Sequence, residues 1–197
     1  MPTSKYYFLV NLLIYQVCWF ACVLSAANGM PWISVVIVAV AVAHHLYISS
    51  QPAVELKLIV VVTIIGSVWD SALVARGLLE YPSGMFINGV APYWIISLWA
   101  AFAITLNVSL TWLKKHIWVA FLLGAIGGPL VFFTAEKMGA LQFSDMTLAL
   151  GVLAVGWTLL MPLIVKLSQY WSGFDTAASI LPVSSSQFLS KSSSRVN

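Results

Sequence analysis

Six times along its length this chain runs for about twenty residues with almost no charge, and each run stops at a short polar or turn-forming break. A helix crossing the hydrocarbon core of a bilayer needs about 20 apolar residues, so this spacing constrains the fold more than any motif does. The runs cover about 6–26, 31–48, 56–78, 91–113, 117–138 and 147–168. The breaks are NGMP, SSQPAVE, LLEYPSGMFING, KKH and GALQFSDM, rich in the residues that turn a chain. Only 8% of residues are charged and 61% are hydrophobic, where a soluble domain carries about a quarter charged. Such a chain cannot cover a water-facing surface. The expectation is an all-α polytopic membrane protein, a six-transmembrane-helix bundle over residues 1–171, with a serine-rich disordered cytoplasmic tail over 172–197.

The first run follows Lys5 and ends near SAANG, which mimics a secretory leader. It is too long for one, and Asn11 and Gln16 interrupt it, so it reads as a retained span. The basic residues then set the orientation. With the N-terminus lie Lys5, Lys57, Lys114, Lys115, Lys166, Lys191 and Arg195; on the other side lie Arg76 and Lys137. Seven against two puts both termini in the cytoplasm. A net charge of +3 scattered in this way does not point to nucleic acid. Cys18 and Cys22 are four apart on one helical face, which does not aim them for a disulfide. They read as small packing residues.

Lipid offers polar side chains no partners, so those within spans face the bundle interior. Asn11, Tyr15, Cys18, Cys22 and Ser25 form one stripe at helical spacing, and Thr63, Gly66, Ser67 and Asp70 form another. Ser97, Ala101, Thr105 and Ser109 form a third. Gly124 and Gly128 allow close helix approach, and Pro129 after them marks a kink. These stripes describe a packed bundle before they describe a site.

Asp70 stands out, because an acid at depth costs about 2.5–3.5 kcal/mol to insert. Two roles fit it. It binds a polar headgroup or cation or moves a proton, or it is a structural cap bonded to Ser or Trp donors on neighbouring spans. At about 1.5 Å per residue, Asn11, His44, His45 and Asn107 fall about 7 Å to the cytoplasmic side of the midplane, and Asp70 about 5 Å beyond it. The arithmetic argues against a His–Asp contact. It favours a cytoplasmic cluster of Asn11, His44 or His45, and Asn107, with helix-to-helix bonding as its plainer role. Adjacent histidines point about 100° apart and do not make a metal pair. No phosphate loop, zinc-protease motif, nucleophile elbow or CxxC is present, so no metal or cofactor is expected. The break ending at Gly89 reads as an interfacial loop or a lid near Asp70. Trp19 and Trp32 are thirteen apart, as are Trp99 and Trp112, which raises an inverted repeat of three spans.

The stretches QVCWFACVLSAANGMPW, SVWDSAL, APYWIISLWAAFAITLNVSLTWL and GAIGGPLVFFTAEKMGAL resemble a bacterial inner-membrane family known as domain of unknown function 2878. The resemblance covers roughly residues 8–168 and singles out Gln16, Trp19, Asp70, Pro92, Trp94, Trp99, Asn107, Gly127, Gly128 and Pro129. The chain departs from it at Glu136, where similar proteins carry glycine. The resemblance implies a six-span inner-membrane protein and no settled activity. It also implies a link to lipids, since similar proteins are encoded near enzymes that modify membrane fatty acids. Membrane lipids, and lipid-modifying enzymes, are the partners it points to.

The leading expectation is therefore a protein that binds, presents or modifies a membrane acyl lipid. Its candidate site is Asp70, Gln16, Asn107, His44, His45, Trp19 and Trp99. The alternatives are an assembly or scaffold subunit without chemistry and a small proton- or cation-coupled transporter using Asp70.

Overall fold

The computed structural model describes residues 5–174. It is all-helical apart from one two-residue ribbon. Helices α1 (Lys5–Ala27), α2 (Trp32–Ile48) and α3 (Pro52–Ala75) follow one another through short turns. Strand β1 (Leu79–Glu80) leads into α4 (Tyr93–Ala103) and a 3-10 helix (Thr111–Lys115). Helix α5 (Ile117–Lys137), strand β2 (Gln142–Phe143) and α6 (Met146–Tyr170) complete the chain. Of the tail expected over 172–197, residues 172–174 are described, with Gly173 bonded to Glu55, Ser49 and Gln51, and residues from 175 onward lie outside the described residues.

Among the described residues four helices are long and apolar enough to cross a membrane: Tyr6–Ala27, Pro52–Ala75, Ile117–Lys137 and Met146–Tyr170. Their outward faces are apolar; Val60, Ile64 and Val68 on α3 and Leu122, Ile126 and Leu130 on α5 are all exposed. Water would not tolerate such stripes, and lipid does. The other two apolar helices are shorter, α2 with 17 residues and α4 with 11.

The fourth apolar run, expected as one helix over 91–113, breaks after Ala103. Residues 104–110 form tight turns, yet most are buried. Asn11 on α1 rescues the break. Its Nδ2 donates to the Ile104 carbonyl at 3.1 Å, and its Oδ1 accepts from the Ser109 hydroxyl at 2.7 Å and the Ser109 N–H at 3.3 Å. Buried irregular backbone persists only where other protein groups satisfy it in this way.

The bundle has two ends. The terminal face holds Lys5, the α2–α3 turn, the 3-10 helix and residues 171–174. The loop face holds the α1–α2, α3–α4 and α5–α6 connections. Helix α3 stops there in a Schellman motif: Gly77, at φ 65°, donates to the Val74 carbonyl at 2.8 Å, and Leu78 donates to Leu73 at 3.0 Å. Helices α1 and α5 end alike at Gly29 and Gly139. The ribbon joins two loops by pairing Leu79 with Phe143 and Glu80 with Gln142, antiparallel. Ser83 donates to the Ala26 carbonyl at 2.7 Å and ties the same loop to α1. On the inside, α5 packs tightly on α6, α4 lies against α1, α2 and α3, and α1 and α5 are not packed together. This arrangement does not follow an inverted repeat, because the α1–α2 interface has no counterpart between α4 and α5.

Candidate functional site

Helix α3 carries an acid near each end, and both are buried. Asp70 is 1% exposed and Glu55 is fully buried. Their surroundings differ in kind.

Near the loop face, Asp70 follows Thr63, Gly66 and Ser67 along the inward stripe of α3. A Cβ on Gly66 would enter the Trp99 ring, so only glycine lets that indole lie against the helix. The close approach sets the Trp99 N–H 2.7 Å from Asp70 Oδ2, to which it donates. Trp99 stacks on Trp157 with ring centres 5.0 Å apart and planes 11° from parallel. Phe102 meets both rings edge-on at 5.9 Å. Trp157 in turn sits over Gly128, where any side chain would strike its ring.

Around this stack several buried polar atoms have no hydrogen-bond partner: Asp70 Oδ1, the Tyr81 hydroxyl, Trp157 Nε1, Thr63 Oγ1 and Ser67 Oγ. Natural proteins leave few such atoms, and a cluster marks a place for water or ligand. Tyr81 lies in the α3–α4 loop, packed edge-on against Trp94 at 5.6 Å. Burial, and next the nearby Asp70 carboxylate, push its phenol well above the ordinary tyrosine range. It is a neutral donor. No described cation pairs with Asp70.

Two cavities adjoin this centre. One, of about 40 Å³, is lined by Asp70, Trp19, Trp99, Ile95 and Phe132 among others. The second, of about 210 Å³, lies between α1, α4, α5 and α6, where α1 and α5 stand apart. Tyr15, Phe102, Val131 and Trp157 line both. Leu12 and Leu123, on the rim of the larger one, are 40% and 41% exposed at mid-helix, so this cleft meets the apolar outside of the bundle. Gly127 lines it with open space where a side chain would stand.

At the terminal face, Glu55 has every oxygen engaged. His45 Nε2 lies 2.8 Å from Oε2. Asn107 Nδ2 and the Gly173 N–H each donate to Oε1 at 2.6 Å. Lys114 joins through Asn107, donating to its Oδ1 at 2.6 Å and to the Ser168 carbonyl at 2.9 Å. Burial lowers the Lys114 ammonium from the ordinary lysine range, and the Glu55 carboxylate opposes that shift. The backbone of Gly173 is clasped from its other side, its carbonyl accepting from Ser49 Oγ at 3.0 Å and Gln51 N at 3.1 Å.

The candidate residues thus divide. Asp70, Trp19 and Trp99 surround the small cavity. His45 and Asn107 converge on Glu55, while Asn11 bonds to Ile104 and Ser109 instead. His44 and Gln16 are exposed and join neither centre. Sequence reasoning missed Glu55, taken as part of a break, although Pro52 in the first helical position signals that α3 begins before it. It also missed Tyr81 and Trp157, for which only tertiary contact carries a signal.

A family model described as Protein of unknown function (DUF2878) matches residues 8–163. No curated protein matches the chain, and no solved structure does.

Proposed function

The chain belongs to that uncharacterised family, and from this premise we propose a six-span protein of the bacterial inner membrane, both termini cytoplasmic, that binds an acyl lipid in the cleft between α1, α4, α5 and α6. The carrying observation is the cleft itself, apolar, flanked by the part-exposed Leu12 and Leu123, and sharing Tyr15, Phe102, Val131 and Trp157 with the cavity at Asp70. In a bilayer the medium against such an opening is acyl chain, and apolar contact alone favours a chain entering at about 25 cal/mol per Å² buried.

Six crossings are supported by two features. Helix α2, at 17 residues, meets the lower length for a span. Helix α4 continues through buried turns whose backbone Asn11 satisfies, so the path from Tyr93 to Leu113 functions as one crossing. Orientation rests on the seven-to-two distribution of basic residues.

Gly127 supplies the test. Because open space surrounds the place of a Cβ at Gly127 and Gly127 lines the cleft, Gly127→Phe sets a ring where the lipid would lie and improves on glycine as a helix former. Wild-type protein extracted in mild detergent is expected to carry bound lipid, measured by mass spectrometry of the denatured sample, and Gly127→Phe to carry at least tenfold less. Equal lipid content in the two, with both folded, overturns the proposal. Proton- or cation-dependent flux in proteoliposomes, abolished by Asp70→Asn while lipid content stays equal, would replace it with transport.

A further inference from the structure

We infer that the lipid taken by this cleft is neutral and carries a single hydroxyl, which docks between Asp70 and Trp157; the inference rests on the acyl-lipid proposal and names its ligand class.

Asp70 and Trp157 both line the smaller cavity, and each has one buried polar atom without a partner: Oδ1, an acceptor, and Nε1, a donor. Trp99 connects the two residues. Asp70 Oδ2 accepts from Trp99 at 2.7 Å, and the Trp157 ring stacks directly on the Trp99 ring. The Asp70 carboxyl is therefore one ring away from the orphaned indole. Apart from the phenol of Tyr15 and the indole of Trp19, the remaining walls are apolar side chains.

Charge and size then choose among lipids. No lysine, arginine or histidine lines either cavity, so a phosphate or carboxylate head would meet an acid with no counter-charge. An amine would satisfy Asp70 but would leave the Trp157 donor facing more donors. A hydroxyl donates to Oδ1 and accepts from Nε1, and so removes both unmet groups together. A volume of about 40 Å³ exceeds the roughly 10–15 Å³ that one water-sized group requires and is too small for a sugar or glycerophosphate head. The apolar body of the ligand would then lie across the wall of Tyr15, Phe102, Val131 and Trp157 in the larger cleft. Long-chain, isoprenoid and sterol-like alcohols share this chemistry.

The experiment uses the full chain in nanodiscs, labelled by hexadecanol bearing a diazirine at mid-chain and mapped by peptide mass spectrometry. Plain hexadecanol, hexadecanoate and hexadecylamine serve as competitors. The expected result is labelling on the α1, α4, α5 and α6 peptides that line the cleft, displaced by hexadecanol at a concentration at least tenfold below that of the acid or the amine. Asp70→Leu and, independently, Trp157→Phe should each erase this preference while the photolabel still reaches the cleft. Trp157→Phe keeps a ring on the stack and removes the donor alone, so it reads the hydroxyl even if Asp70→Leu misfolds. Equal displacement by all three competitors, or a preference that survives Trp157→Phe, overturns the hydroxyl assignment and leaves the acyl-lipid proposal standing. No labelling of the cleft overturns both.

Discussion

Glu55 and Asp70 are two buried acids on one helix, fifteen residues and so about 22 Å apart, and they have opposite fates. Glu55 accepts from three groups and is backed by Lys114 through Asn107. Nothing about it is left open. Asp70 accepts from one indole, keeps one oxygen bare and faces a cavity. Burial is common to both and therefore diagnoses neither. What separates a structural acid from one with capacity to bind is whether its hydrogen-bonding positions are filled.

The strongest break of this comparison is Glu55→Leu. It strands His45 Nε2 and the Gly173 N–H inside the terminal face and leaves Asn107 Nδ2 with the Trp171 carbonyl alone, and removing one partner of a buried network costs about 3–5 kcal/mol. Loss of folded protein in detergent, followed by circular dichroism on heating, checks it. A melt unchanged from wild type would remove the distinction drawn between the two acids.

Next in size is Gly66→Ala. Its Cβ must displace the Trp99 ring, and overpacking of this kind costs about 1–3 kcal/mol. Because the same ring donates to Asp70, the Trp99 indole should also lose its hydrogen bond, visible as a shift of the indole N–H resonance in a specifically labelled sample.

Trp99→Phe isolates that bond. It removes the donor at 2.7 Å and leaves both Asp70 oxygens bare, at about 1–3 kcal/mol for an unsatisfied buried group. A double-mutant cycle with Asp70→Leu, which removes the acceptor, should return a coupling of about 0.5–3 kcal/mol; zero coupling would mean that the contact contributes nothing to stability.

Smallest is Asp70→Asn alone. The amide keeps an acceptor for Trp99, so the melting behaviour should move by about 1 kcal/mol or less, while the membrane lipid profile of a deletion strain complemented with it should differ from wild type. A large loss of stability with an unchanged lipid profile would class Asp70 with Glu55.

Much of the architecture was legible from residue order. Four apolar runs became helices of spanning length within a few residues of their expected limits, because hydrocarbon forces a backbone to satisfy itself locally. Glycine punctuation also read correctly at Gly29 and Gly139, which close α1 and α5, while Gly77, expected inside the third run, closes α3. The inward stripes held because helical periodicity alone decides which side chains share a face: Asn11, Cys18, Cys22 and Ser25 are all buried on α1. The break in α4 was not legible. Residues 104–110 contain no glycine or proline, and what holds them open is an asparagine more than ninety positions away.

The candidate site divides along the same line. That Asp70 is buried on a polar stripe follows from its place in the sequence. That Glu55 is the hub of the terminal face does not, since its partners come from α2, the turns after α4 and the segment after α6. Local order therefore determined the four helices of spanning length and the faces they turn inward. Only tertiary packing decided which buried groups were satisfied and which were left open. A hydrogen bond depends on a few tenths of an ångström between atoms far apart in the chain, and here that margin came from rings seated on glycines, Trp99 on Gly66 and Trp157 on Gly128.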